Sequence, residues 1–241
     1  EEIKDIGNHK EPDLEALVAA QPDLVISGQR FLDRDNEIKE LVPDAAVVEL
    51  EPREDKSMDE ELVRQITTLG EIFDKKDEAE KMVQDFNDAK DRAKKAYDKL
   101  DGDKKVMAVN VSGGEIGYVA PHIGRVWGPV FDWLGMEPAL EVDNASSNHE
   151  GDDISVEAIA DAKPDWMLVL DRDGAINADQ PDYSPAADVI KRSDALQGVP
   201  ALKEDRVIVA PQDTYTNESI TTYTEIPVSY THLRAHETSL H

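Results

Sequence analysis

Apolar and polar positions along this 241-residue chain fall into one pattern that occurs twice. In EPDLEALVAAQPDLVISGQR, Leu14, Leu17 and Val18 follow helical spacing and Pro22 stops the helix. Leu24–Ser27 then reads as a short buried parallel strand, and the segment ends on Arg30. ISVEAIADAKPDWMLVLDR repeats the pattern 142 positions on, from Arg30 to Arg172. The match sets Glu15 on Glu157, Ala16 on Ala158, Ala20 on Ala162, Pro22 on Pro164 and Asp23 on Asp165. Two such helix–strand units predict an α/β protein of two lobes, with a cleft between them.

The rest of the pattern fills in each lobe. Glu37–Leu41 predicts a short helix and Ala45–Leu50 a second strand. Ser57-Met58-Asp59-Glu60 is a capping box, and Leu62, Ile66, Leu69 and Phe73 follow along one helical face. A longer helix, about Lys76 to Leu100, carries Ala79, Met82, Phe86, Ala93 and Tyr97 on a narrow stripe with charged faces around it. Some 25 residues of helix extend about 37 Å, enough for a strut between lobes; the alternative is an ordinary surface helix. Beyond it come a strand at Lys105–Val111, a Gly113-Gly114 turn, a strand at Ile116–Ala120 and a helix at Val126–Leu134. The repeated helix and strand (Ser155–Leu170), a helix at Ala186–Lys191 and a strand at Val207–Ala210 complete the second lobe. The expected organisation is an N-terminal lobe at 1–75, a connecting helix at 76–101, a C-terminal lobe at 102–226 and a tail at 227–241. With only two strands before the long helix, the first lobe reads as incomplete, its opening strands missing.

Charge narrows the classes of partner. With 26 Lys and Arg against 53 Asp and Glu, the formal net charge is −27, which argues against nucleic acid and against an anionic membrane surface. The acid is spread through the chain, as on a solvated surface. No cysteine is present, so disulfides and thiolate metal sites are excluded. No apolar run reaches the roughly 18 residues of a membrane span. The chain opens on Glu1 without Met, so a missing upstream segment is expected. The tail PVSYTHLRAHETSLH resembles a translated sequencing-library adaptor, and its His232, His236 and His241 are set aside as possible metal ligands.

Candidate chemistry is sparse and points to binding. Arg30 and Arg172 follow the carboxyl ends of predicted strands, where open α/β sheets present ligand groups. Arg125 stands at the start of a predicted helix, positioned to face an anion together with the backbone N–H groups there. Singly, each arginine is equally readable as half of a solvated ion pair; the repeat is what unites them. His149 and Tyr215 lie on loops after second-lobe elements. H-E-x-x-H, G-x-G-x-x-G, Walker A and G-x-S-x-G motifs are all absent, and no catalytic residue is assigned.

Four segments, in order between about Asp5 and Ile226, carry a family resemblance: NHKEPDLEALVAAQPDLVISGQRF, IGRVWGPVFDWLGMEP, NHEGDDISVEAIADAKPDWMLVLDR and VPALKEDRVIVAPQDTYTNESITTYTEI. They resemble the substrate-binding proteins of iron-siderophore ABC importers, and among these the catecholate subgroup that takes petrobactin- or enterobactin-like chelates. The Pro-Asp-strand signature is shared with vitamin B12 and haem binders; the ordered set Arg125, His149, Arg172 and Tyr215 is more specific. The resemblance implies a class III periplasmic-binding-protein-like fold, two α/β lobes joined by one long helix, with a ferric siderophore held between them. It implies an extracytoplasmic monomer that delivers its cargo to an ABC permease, has no cofactor, and touches the membrane only through a lipidated N-terminus missing here. Arg125 and Arg172 match the arginines that face the anionic chelate. In the first lobe the match falls on Gln29 or Arg30. His149 and Tyr215 match residues that complete iron coordination when a chelate offers four donors. Glu15 and Glu157 match the carboxylates that dock on the permease. A haem or corrinoid receptor of the same fold, and an enzyme on a two-lobed α/β scaffold, are the competing expectations.

Overall fold

The computed structural model describes residues 3–8, 11–102, 104–147 and 152–226, apart from the side chains of Gln29 and Arg30. The chain divides into two compact units, Glu1–Glu61 and Leu62–His241.

In the first unit, α1 (Leu14–Ala20) begins where the Asp13 carboxylate accepts from the Ala16 N–H at 2.9 Å. β1 (Leu24–Ser27) leads into a 3-10 turn (Gln29–Arg34), then α2 (Asp35–Leu41) and β2 (Ala46–Glu49). β1 and β2 pair in parallel, Leu24 opposite Ala46 through Ser27 opposite Glu49. Leu17, Ile38 and Val42 form the small core, with Leu14, Val25 and Val47 packed on it. The pleat turns Ile26 the other way, and it is 48% exposed. The sheet of this unit is two-stranded among the described residues.

The second unit starts inside α3 (Met58–Ile72), followed by α4 (Lys76–Asp98). The α4 stripe is buried at Ala79, Phe86, Ala89, Ala93 and Tyr97. Gly70 is where α3 and α4 come close: a Cβ there would lie 2.6 Å from that of Ala79. Phe73 was expected on the α3 face, but the helix stops at Ile72 and the side chain is 57% exposed. Next come β3 (Lys105–Ser112), β4 (Glu115–Val119), α5 (Trp127–Leu134), β5 (Glu137–Pro138), α6 (Val156–Asp161), β6 (Trp166–Asp171), α7 (Arg172–Ile176), α8 (Ala186–Arg192), α9 (Pro200–Lys203) and β7 (Val207–Val209). Residues 220–226 are helical. Among the described residues these strands make a five-stranded sheet of order β4-β3-β6-β7, with β5 pairing the start of β3. β3, β6 and β7 run parallel and β4 antiparallel. Met107, Val109, Met167 and Val169 pack with Ile159, Ile190 and Leu196 into the core. Phe86 of α4 meets the edge of Trp133 of α5 at 5.5 Å between ring centroids.

The repeat extends to the helix caps. Ser155 caps α6 as Asp13 caps α1, and Ile159 is buried where Leu17 is. Both helices unwind through one left-handed residue directly before the Pro-Asp step: Gln21 at φ 49° and Lys163 at φ 48°.

Candidate ligand-binding site

Three parallel strands of the second unit end side by side, and the loops beyond their carboxyl ends carry the candidate residues. Ser112 closes β3, Arg172 follows β6, and Tyr215 lies past β7. Arg125 comes from the loop between β4 and α5. Thus Arg125, Arg172 and Tyr215 converge.

The Tyr215 ring is the centre of the cluster. The Arg125 Cζ is 4.6 Å from its centroid and the Arg172 Cζ 5.4 Å, both within cation–π range. Arg172 Nε donates to the Tyr215 hydroxyl (3.1 Å) and Arg172 Nη1 to Ser112 Oγ (2.9 Å). Arg125 Nη2 donates to the Tyr215 carbonyl at 3.1 Å. Glu218 Oε2 lies 3.1 Å from Arg125 Nε, close enough to be an ion pair but not aligned for a hydrogen bond. Glu218 Oε1 accepts from the Val126 N–H (3.2 Å) and from the Tyr223 hydroxyl (2.9 Å). The Arg125 side chain remains 32% exposed. The hydrogen bonds to described residues use Arg125 Nη2 and Arg172 Nε and Nη1.

The backbone under Arg125 is strained. Val126 sits at φ 63°, ψ −59°, and the Trp127 N–H donates back to the Arg125 carbonyl at 2.7 Å. That is a γ-turn of the rarer positive-φ kind, centred on a β-branched residue and costing on the order of 1–3 kcal/mol. Two glycines make the loop possible. A Cβ on Gly124 would lie 2.4 Å from the Ala120 carbonyl oxygen, and one on Gly128 2.9 Å from the Ile123 nitrogen. Strain of this kind survives only where surrounding contacts fix it, here the Glu218 carboxylate and the fully buried Trp127.

A second set of acidic groups props up Arg172. Asp173, 8% exposed, accepts from the N–H groups of Gly113 and Gly114, both at 2.9 Å, tying the β3–β4 turn to α7. Gly113 and Gly114 take φ of 61° and 76°, which only glycine adopts cheaply. Asp171 accepts from the Gly174 N–H (2.7 Å), the Tyr183 hydroxyl (2.9 Å) and the Ala186 N–H (3.0 Å). Burial, and then the facing Asp171, push the Tyr183 phenol up to about 12, so it remains a donor. A depression of about 530 Å³ lies alongside, lined by Gly174, Ile176, Asn177, Asp213 and Thr216. None of Arg125, Arg172 and Tyr215 is among the residues that line it.

The other expected residues are placed as follows. Arg30 and Gln29 open the 3-10 turn after β1, at the strand end as expected, and their side chains lie outside the description. His149, like the tail histidines, lies outside the described residues. Glu15 and Glu157 are exposed, each the second residue of its helix, α1 and α6. Sequence reading missed Glu218, Ser112 and Asp173. The signal available for Glu218 was its place directly after the Tyr215 loop, in an acid-rich chain where one more glutamate stands out little. Among the described residues no group of three or more His, Asp or Glu side chains is placed to hold a metal ion. No helix among them is long and apolar enough to cross a membrane.

Residues 1–214 match the model of a family described as periplasmic binding protein. The petrobactin-binding protein YclQ of Bacillus subtilis is 28% identical over 211 residues, 88% of this chain and 62% of that protein. The ferric-anguibactin-binding protein FatB of Vibrio anguillarum is 29% identical over 224 residues, 91% of this chain and 66% of that protein. The chain therefore spans a little under two thirds of the length of these curated relatives. The crystal structure of B. subtilis YclQ superposes with a TM-score of 0.72 at 25% identity, covering 93% of this chain and 74% of that one.

Proposed function

This chain belongs to the periplasmic binding protein family, and within it we propose that the protein captures a ferric siderophore of the anionic catecholate type and hands it to the permease of an ABC importer. The observation that carries the reading is the pair of guanidiniums on the Tyr215 ring, at the carboxyl edge of three parallel strands. A ferric tris-catecholate presents about three negative charges and flat aromatic rings. Guanidinium answers both, with in-plane N–H donors for the catecholate oxygens and a face for the ring. Exposed Ile123, on the loop that carries Arg125, adds apolar surface for the ligand's rings. The relatives named for petrobactin and ferric anguibactin support cargo of this class, and they are binding proteins rather than enzymes.

In this reading Arg125 and Arg172 face the chelate, with Arg30 or Gln29 as a further contact. Tyr215 and His149 complete the iron's octahedron when the chelate supplies only four donors, and with six donors they act through hydrogen bonds alone. Glu15 and Glu157 dock on the permease, on the extracytoplasmic side of the membrane. Capture and release need no bond to be made or broken in the protein. The test is a tryptophan-quenching titration against a panel of ferric siderophores, with Trp127, two residues from Arg125, as reporter. Saturable quenching by catecholate chelates, and none by the iron-free anions at equal concentration, is expected. Absence of quenching by every ferric chelate, or saturable quenching by haem alone, would refute the reading.

A further inference from the structure

We infer that Glu218 is a positioning residue for this site, and that its charge makes the site grade ferric chelates by their own negative charge. The inference rests on the proposed capture of an anionic chelate. Its geometric ground is that one carboxylate touches both the Arg125 side chain and the backbone of the residue that follows it. Oε2 lies 3.1 Å from the guanidinium Nε, and Oε1 takes the N–H of Val126, the next residue along the chain. Val126 is the strained centre of the γ-turn, so Glu218 holds the turn that aims Arg125 as well as the side chain itself. Its own place is set from behind by the Tyr223 hydroxyl at 2.9 Å. Tyr223 is 1% exposed, and burial followed by the facing carboxylate raises its phenol well above the usual range, keeping it a donor.

The same carboxylate alters the electrostatics. Arg125 and Arg172 bring two positive charges to the Tyr215 ring, and Glu218 cancels one of them from a position only 22% exposed. A chelate bound at the guanidiniums then feels a nearby negative charge in proportion to its own. A ferric tris-catecholate, with about three negative charges, is opposed three times as strongly as a ferric bis-catecholate with one, although both present catecholate oxygens and rings to the guanidiniums. Glu218 thus gives up some affinity for highly charged cargo in exchange for a fixed Arg125.

The test uses the whole chain, two substitutions and two ligands: Glu218→Gln and Glu218→Ala, each titrated with ferric tris-catecholate and ferric bis-catecholate by tryptophan quenching. Glu218→Gln retains an acceptor oxygen for Val126 and Tyr223 while removing the charge. It should tighten the tris-catecholate by about three- to tenfold, screening included, and the bis-catecholate by about twofold or less. Glu218→Ala, which releases the turn, should weaken both about tenfold or more. Equal responses of the two ligands to Glu218→Gln, or a loss that copies Glu218→Ala, would overturn the charge-grading role and reduce Glu218 to a structural prop. A wild-type protein that binds neither chelate gives a separate result, which sinks the function proposed above together with this inference.

Discussion

Asp173→Ala should destabilise the second unit and loosen the proposed ligand site, though the Asp173 carboxylate bonds to the Gly113-Gly114 turn rather than to a guanidinium. Its carboxylate receives two backbone N–H groups, Gly113 and Gly114, each at 2.9 Å, and is 8% exposed. Hydrogen bonds to a charged acceptor contribute about 1.5–3 kcal/mol each. The turn itself is exposed, so the released N–H groups can turn to water and the lower end of the range applies. The expected cost is about 3 kcal/mol in all. For a unit of this size that is roughly a 5–10 °C fall in the melting midpoint. Asp173→Asn keeps one acceptor oxygen and should lose about half as much. Ser112, which precedes Gly113, accepts from Arg172 Nη1, so freeing the turn also frees one side of Arg172 and chelate affinity should drop with stability. Circular-dichroism melts and urea titrations of wild type, Asn and Ala measure the first effect, and quenching titrations on the folded proteins the second. An Ala variant melting within a degree of wild type, or an Asn variant worse than Ala, would refute the assignment of Asp173 as the clamp of this turn.

Arg172→Lys keeps the charge but cannot reach Ser112 and the Tyr215 hydroxyl together or lie flat by the ring; chelate affinity should fall about tenfold or more, and unchanged affinity would show that charge alone is recognised. Tyr118 is 1% exposed and donates to the Leu140 carbonyl at 2.7 Å, and burial lifts its phenol to about 12, as with Tyr183. Because the folded values lie above the unfolded value of about 10, this contribution to stability is complete below pH 10 and is lost as pH rises towards 12; a 295 nm titration showing both ionised near pH 10 while the protein remains folded would contradict it. Glu15→Ala with Glu157→Ala in the full-length protein should reduce siderophore uptake, each single change modestly, and leave siderophore affinity unchanged; undiminished uptake, or an equal loss of binding, would show that the pair is not a docking device.

Features set by local chemistry were legible and those set by distant contacts were not. Asp13 and Ser155 announce helix starts within four residues of themselves, and the Pro22 and Pro164 breaks set the strand starts directly. Even the left-handed residues Gln21 and Lys163 occupy equivalent places, although neither residue type advertises that conformation. Arg172 could be placed at the carboxyl edge of the sheet because a strand end is a local event. Glu218 could not, because its role depends on Arg125 and Val126, some ninety positions away. The γ-turn at Val126 was equally hidden: a valine in a G-R-V-W run reads as the first turn of a helix, and only Glu218 and the packing at Gly124 and Gly128 hold it otherwise. Phe73 shows the reverse error, since helical spacing continued on paper one residue past the point where the helix ends.

The acid balance and the arginine site fit together once distance is taken into account. A net charge of −27 looks unsuited to the anionic ligand proposed above. At physiological salt, though, charges more than about 8 Å from the ligand are largely screened. Two guanidiniums in contact act at about 4 Å, where a unit pair near a protein surface is worth about 4 kcal/mol before desolvation. Contact charges therefore decide whether the ligand stays, and the wider surface affects mainly how quickly it arrives. Glu218 is inside that screening length, fixed there by Tyr223 and the Val126 amide. Acids well beyond that distance from the guanidiniums could be neutralised with little effect on affinity. At Glu218 charge and geometry are tied together, because the group that opposes the ligand also holds Arg125 in place.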